Sequence, residues 1–327
     1  MGRTVGAVLS TTEELVDNGD IRLHVEIAGD GPTILCVHGW PELAHSWRHQ
    51  VAHFAARGWR VAALDVRGYG GSSAPAEIER YTLCELAGDV AAVAAALDDE
   101  PVVLFGHDWG SPIASHAAIR HPDRVRAVAN LSVPHYLPRA DDTVALFDLA
   151  WADRFFYMLH FQAPGVVEAE FAADLRAALK RVYFAGSGAA PGGMLPDAAR
   201  GVAYLPLLPE PPDGPLDFMS DEDLDAIASR FARRGTAGAF NRYRAMRLDG
   251  VADADIVGAP IEQPSCFVAG EHDLVRHLVP GVDAFDSPGR GCSDFRGATI
   301  VAGAGHWVQQ EAPAAVNDAL GAFLDQL

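Results

Sequence analysis

Pro101-Val102-Val103-Leu104-Phe105 runs straight into Gly106-His107-Asp108-Trp109-Gly110, and the reading of this stretch decides the fold. An unbroken apolar run of this length predicts a strand covered on both faces. The pentapeptide after it matches a nucleophile elbow, Gly-x-Ser-x-Gly, in everything but its middle residue. The glycines have a steric reason. The turn from strand to helix is tight, and side chains two residues either side of the nucleophile would collide. The following helix aims free N–H groups and the positive end of its dipole at Asp108, which keeps the carboxylate ionised and reactive. The plain alternative is a strand-to-helix turn capped by Asp, and the pentapeptide alone does not separate the two.

Working outward, strand and helix alternate. Ile21–Ala28 alternates polar and apolar residues and predicts an antiparallel strand. Thr33–Val37 and Arg60–Leu64 are buried strands, with a helix from about Leu43 to Arg57 between them. Thr82–Leu97 is an Ala-rich helix with Thr82 as cap and Glu85 three residues on. A helix to about His121 follows the elbow, and Val125–Leu131 is a fourth buried strand. This pattern predicts a parallel sheet with helices on both faces. From Pro134 to about Met246 the strands stop. Leu146–Phe161 and Val166–Phe184 read as helices, Ala185–Pro215 as an irregular excursion, and Ser220 as the cap of another helix. Strands resume at Ser265–Ala269 and Ala298–Val301, and Ala312–Leu327 closes the chain as a helix. The expected division is residues 1–136 and 248–327 as one core and 137–247 as an inserted helical cap.

Composition bounds the function. The chain has 327 residues, 44 acidic against 25 basic, and a net charge of −19. That balance repels phosphate backbones and argues against nucleic acid. About half the residues are hydrophobic, enough for a large core. Cys36, Cys84, Cys266 and Cys292 form no CxxC pair and read as buried free thiols. The first nineteen residues lack the apolar core of a signal peptide, and no apolar stretch reaches spanning length. A cytoplasmic protein without a membrane partner is expected.

Aspartate at the elbow changes the chemistry. A carboxylate displaces at saturated carbon and leaves an alkyl ester, so the fitting electrophiles are epoxides or carbons bearing halide. Water must then cleave the ester. His306, in Gly303-Ala304-Gly305-His306-Trp307, follows the last strand and is placed to take a proton from that water. Asp273, in Gly270-Glu271-His272-Asp273, follows another strand end and is placed to orient the ring. The chain order Asp108, Asp273, His306 is the nucleophile–acid–base order of α/β-hydrolases. His38-Gly39-Trp40-Pro41 follows a buried strand, and the Trp40 and Trp109 N–H groups are candidates for an oxyanion hole. A simple Gly-Pro turn is the bland reading there. His38 and His107 read as packed and hydrogen-bonded. His45, His49 and His53 share a helix face, but no carboxylate accompanies them as in HExxH, so no metal is expected. Gly68-Tyr69-Gly70-Gly71 lacks the spacing and the helix of a dinucleotide loop.

HGWPELAHSWRHQ, DVRGYGGSS, GHDWGSP, HPDRV, SVPH, FQAPGVVEAE, FNRYRAM and GHWVQQEAP together resemble the epoxide hydrolase branch of the α/β-hydrolase superfamily, from about Gly31 to the C-terminus. The resemblance implies an α/β-hydrolase fold with a mostly parallel central sheet, helices on both faces and an inserted helical cap. It also implies two cap tyrosines that hold and protonate the epoxide oxygen, Tyr157 before FQAPG and Tyr243 in FNRYRAM. The bland reading of both rings is core packing. Met158 stands where the family often has Gln, which implies a more apolar pocket, and Trp109, Phe156, Met158 and Trp307 are the expected substrate-contacting residues. The implied partners are a small-molecule epoxide and water, with no cofactor; a homo-oligomer is left open. A dehalogenase of the same fold is the nearest rival, disfavoured by Trp40-Pro41 where dehalogenases usually carry Asn. An inactive hydrolase-fold binding protein is disfavoured by three intact triad positions, and a serine esterase by the absence of Ser at the elbow.

Overall fold

The computed structural model describes residues 11–327. The part of the N-terminal reading that concerns residues 1–10 lies outside them. Eight strands form one sheet: β1 (Thr11–Asn18), β2 (Ile21–Ala28), β3 (Thr33–Val37), β4 (Arg60–Leu64), β5 (Val102–His107), β6 (Val125–Leu131), β7 (Ile261–Gly270) and β8 (Cys292–Val301). Their order is β1-β2-β4-β3-β5-β6-β7-β8. Strand β2 runs antiparallel to β1 and β4, and every other pairing is parallel.

The helices are α1 (Arg48–Ala55), α2 (Leu83–Leu97), α3 (Gly110–Arg120), α4 (Thr143–Trp151), α5 (Tyr157–His160), α6 (Val166–Ala173), α7 (Leu175–Gly186), α8 (Asp221–Arg234), α9 (Ala237–Ala252), α10 (Val308–Glu311) and α11 (Pro313–Leu324). Alternation along the strands makes two cores. Leu35, Val37, Ala62, Leu64 and Leu104 face one side, with α2, α3 and the helices inserted between β6 and β7. Ile34, Cys36, Val61, Ala63, Val103 and Phe105 face the other, packed on Trp47, Phe54, Leu320 and Phe323. Burial on both faces is why these strands read as continuous apolar runs.

The local devices expected from sequence are present at two helix starts. The Thr82 side chain accepts the Glu85 N–H, and Ser220 forms a reciprocal capping box with Asp223. Several boundaries differ. The expected helix Leu146–Phe161 breaks after Trp151, where Ala152 takes φ 36° and the chain turns. Val166–Phe184 is two helices, because the Asp174 side chain turns back to cap Ala177 N–H and starts α7. The closing helix divides at Ala312, with Pro313 in the first turn of α11. Strands β7 and β8 both begin earlier than expected, and β1 was not foreseen. The stretch Ala185–Pro215 is irregular apart from a 3-10 turn at Leu205–Leu207. No helix among the described residues is long and apolar enough to cross a membrane.

This topology positions the site. From β3 the chain steps to β4 on one side and returns to β5 on the other. The carboxyl ends of β3 and β5 therefore flank a point where the connections diverge, the usual place for ligands in such sheets.

Candidate active site

Asp108 follows β5 with φ 52°, a left-handed backbone that a side chain adopts only when its surroundings enforce it. They do so by leaving no room elsewhere. A Cβ at Gly106 would meet the Gly110 carbonyl oxygen at 2.3 Å, and one at Gly110 would meet the Val37 oxygen at 1.9 Å. Helix α3 thus starts hard against the end of β3. Gly39 brings the loop after β3 equally close, since a Cβ there would lie 2.3 Å from Asp108 Oδ1. The contact has a polar purpose: the Trp40 N–H donates to Asp108 Oδ1 at 2.8 Å.

The other carboxylate oxygen faces His306. Asp108 Oδ2 lies 3.3 Å from His306 Nε2, and His306 Nδ1 lies 2.9 Å from Asp273 Oδ1. Asp273 Oδ1 also accepts the Val275 N–H at 3.0 Å, which fixes the carboxylate at the start of a turn. Asp273 Oδ2 is buried without a hydrogen-bond partner. Burial opposes charge on His306, but the charges and hydrogen bonds of Asp273 and Asp108 outweigh it and hold its pKa well above the ordinary histidine value.

Helices α5 and α9 bring Tyr157 and Tyr243 together above the elbow. Both are buried, with ring centroids 6.2 Å apart. Tyr243 sits edge-on to Trp40 at 5.8 Å and to Trp109 at 5.3 Å. Burial first, and then the Asp108 charge, raise both phenol pKa values well above normal, so both stay protonated. Among the described residues neither hydroxyl forms a well-aligned hydrogen bond to protein.

Residues 32–313 match the family model described as alpha/beta hydrolase fold. Epoxide hydrolase A of Mycobacterium tuberculosis is 39% identical, over 97% of this chain and 98% of its own. Epoxide hydrolase 3 of Siraitia grosvenorii is 34% identical, over 95% and 97%. The chain belongs to the epoxide hydrolase family. Among solved structures, an epoxide hydrolase from an endophytic Streptomyces superposes with TM-score 0.91 at 39% identity, covering 96% of this chain and 95% of that one. Potato epoxide hydrolase I gives TM-score 0.87 at 32% identity, over 97% and 100%.

Within this epoxide hydrolase fold the remaining expected residues take different places. Trp109 is half-buried beside Asp108, with the Arg242 guanidinium 4.8 Å over its ring and its buried indole N–H unpartnered. Its backbone N–H makes no hydrogen bond among the described residues. Met158 is buried next to Tyr157 in α5. Phe156 stacks on Trp151 at 4.7 Å and lies edge-on to Tyr157 at 5.2 Å. Trp307 is fully buried, donates its indole N–H to the Tyr183 carbonyl at 2.7 Å, and packs its ring on His306 at 4.7 Å.

A buried network behind Asp108, Asp273 and His306 escaped the sequence reading. Glu42 is fully enclosed. Its Oε2 meets His107 Nδ1 at 2.6 Å, and its Oε1 accepts Gln309 and Gln310 amides at 2.9 and 3.0 Å. Burial alone would raise the Glu42 pKa, but His107 outweighs it and holds it at about 2. His107 Nε2 and Ser132 Oγ in turn reach the His306 carbonyl, at 2.7 and 2.8 Å. An acid directly after the His-Gly-Trp-Pro turn was the available signal. His38 accepts the Val66 N–H at Nε2 and is hydrogen-bonded to the Gly39 carbonyl through Nδ1, and burial keeps its pKa low.

His45, in a 3-10 turn just before α1, and His49 and His53 on α1 do not bring their ring nitrogens together into a group of three or more possible metal ligands among the described residues. His45 is held by Asp223 at 2.6 Å, and His49 and His53 stand half-buried along α1. Among the described residues Glu13, His24 and Glu26 come within 4.8 Å of one another. Arg230 already pairs with Glu26 at 2.8 Å and Asp65 with His24 at 2.9 Å, so this group reads as an ion-pair network.

Proposed function

We propose that this epoxide hydrolase opens its substrate through an ester on Asp108 and releases a vicinal diol. The observation that carries the reading is the division of labour between the two oxygens of Asp108. Oδ1 is held by the Trp40 N–H, whereas Oδ2 faces His306 and is left to attack. In the first step Oδ2 bonds to an epoxide carbon, the carbon–oxygen bond of the ring breaks, and the ring oxygen takes a proton from Tyr157 or Tyr243. Two phenols kept neutral by burial support this role. Esterification removes the Asp108 charge that helped hold His306 protonated, so the ring gives its proton to the phenolate. In the second step neutral His306 removes a proton from water, and the oxygen of that water attacks the ester carbonyl carbon. Negative charge then gathers on Oδ1, where the N–H groups of Trp40 and Trp109 form the oxyanion hole. Collapse expels the diol alkoxide, which takes its proton from the His306 imidazolium that Asp273 stabilises, and the proton left on the regenerated Asp108 carboxyl passes to His306, which restores the starting charges.

In this reading residues 137–247 are a cap that closes over the elbow. Trp109 and Met158 line the substrate pocket, with Phe156 backing Tyr157 and Trp307 backing His306. Small-molecule epoxide and water are the partners. Four free cysteines support a reducing, cytoplasmic setting in which the enzyme disposes of reactive epoxides. The test is incubation with styrene oxide and, separately, a haloalkane. Diol without halide is expected; halide release without diol would favour a dehalogenase.

A further inference from the structure

Glu311 ends α10, and its carboxylate lies against the loop that carries His306. It accepts the Gly305 N–H at 3.0 Å and the Trp307 N–H at 3.0 Å, so it holds both chain neighbours of His306. It also accepts the Gly188 N–H at 2.8 Å, from the segment following α7. The His306 N–H between them donates to the Gly186 carbonyl at 2.8 Å. Three consecutive N–H groups of the base's loop are therefore tied, two by one carboxylate and one by the inserted helices. The two segments interlock without room for a side chain. A Cβ at Gly305 would fall 2.3 Å from Gly188 N, and one at Gly188 would fall 2.0 Å from the Gly303 oxygen.

Most of the Glu311 surface is hidden, and no cationic side chain pairs with it among the described residues. Burying a carboxylate without a counter-cation is costly, and here these backbone N–H groups are what offset the cost. We infer that Glu311 is a positioning residue for His306, and that through Gly188 it ties the placement of the base to the inserted helices. The inference rests on the reading of His306 as the base of the second step. Asp273 fixes only the Nδ1 end of the ring. The direction in which Nε2 points also depends on where the backbone is held, and a displacement of about 1 Å can cost ~10²-fold in rate. The first step needs Asp108 and the phenols and makes no use of this loop.

Glu311→Gln keeps the side-chain length but sets an amide NH₂ against a backbone N–H. Gly188→Ala leaves Glu311 intact and forces the two segments apart. Each variant, with His306→Gln beside it, is given styrene oxide in a single turnover, and the ester is followed by intact-protein mass spectrometry. For both positioning variants ester formation is expected within ~3-fold of the parent and ester breakdown slower by ~10-fold or more. The amplitude of ester formation counts folded enzyme, so a merely structural defect lowers the amplitude and leaves the breakdown rate constant unchanged. That outcome overturns the inference, as does equal slowing of both steps or failure of both variants to fold. If His306→Gln itself forms no lasting ester, the underlying reading of His306 has failed. If it does while Glu311→Gln and Gly188→Ala turn over normally, only the role of Glu311 has.

Discussion

His306 Nε2 stands 3.3 Å from Asp108 Oδ2, close enough to pair with that carboxylate and, in the proposed mechanism, to meet water that approaches its ester. In the proposed mechanism the attack on the epoxide needs no base, whereas breakdown of the ester does. His306→Gln should therefore leave ester formation largely intact and slow ester hydrolysis by about 10²–10⁴-fold. Quenched-flow mass spectrometry should find the protein heavier by one substrate. Rapid, complete turnover by this variant would contradict the role.

Gly39→Ala should strike the opposite step. The added methyl would fall 2.3 Å from both Cβ and Oδ1 of Asp108, and the loop must move away. The Trp40 hydrogen bond to Oδ1 is then lost and the carboxylate shifts. Ester formation should fall by roughly 10²-fold or more. Stopped-flow measurement of the first step checks this, and a rate near that of the parent would remove Trp40 from the account.

Tyr157→Phe and Tyr243→Phe should each cost about 1–3 kcal/mol in ester formation, because one phenol remains. The double variant should nearly abolish the step while keeping its melting temperature, since both rings still pack. Pre-steady-state kinetics on the three variants decide the matter. An unchanged rate in the double variant would make both rings packing residues and favour a leaving group that needs no proton.

The charge on His306 gives a pH dependence with a definite sign. Its folded pKa is held above the unfolded value by Asp273 and Asp108 against the opposing effect of burial. Such a group adds stability that is fully present below about pH 6.5, the unfolded value, and is lost as pH rises through the folded value. Asp108→Asn removes one of the two carboxylates and should lower the His306 pKa. The contribution of this pair to the stability difference between parent and variant should be largest below pH ~6.5 and vanish above the parent's folded pKa. Urea titrations across pH, with NMR of the imidazole, measure both. A difference that stays constant with pH would contradict the pairing.

Where burial is two-sided the sequence was legible. Strands β3, β4 and β6 carry their burial in their own residues, and Val125–Leu131 matches to the residue. Strand β1 was missed because six of its eight residues are exposed, and TTEELVDN carries no buried alternation. The breaks at Ala152 and Asp174 were missed because helical periodicity continues across them while a local backbone turn and a side-chain cap intervene. In the candidate site, Asp108, Asp273 and His306 are legible as candidates from their places at strand ends, and their side chains lie together. Glu42 and Glu311 were not, because their partners are mostly backbone groups and residues far off in the chain. Glu42 meets Gln309 across 267 residues, and no spacing rule encodes such a contact.

In the proposed mechanism Asp108 attacks carbon and water then attacks Asp108. A single turnover of styrene oxide in ¹⁸O-water, with enzyme in excess, tests it most directly. After proteolysis, the peptide containing Asp108 should carry one ¹⁸O and the diol formed in that turnover none. Label in the diol, with an unlabelled Asp108, would mean that water opens the epoxide itself and would contradict the account.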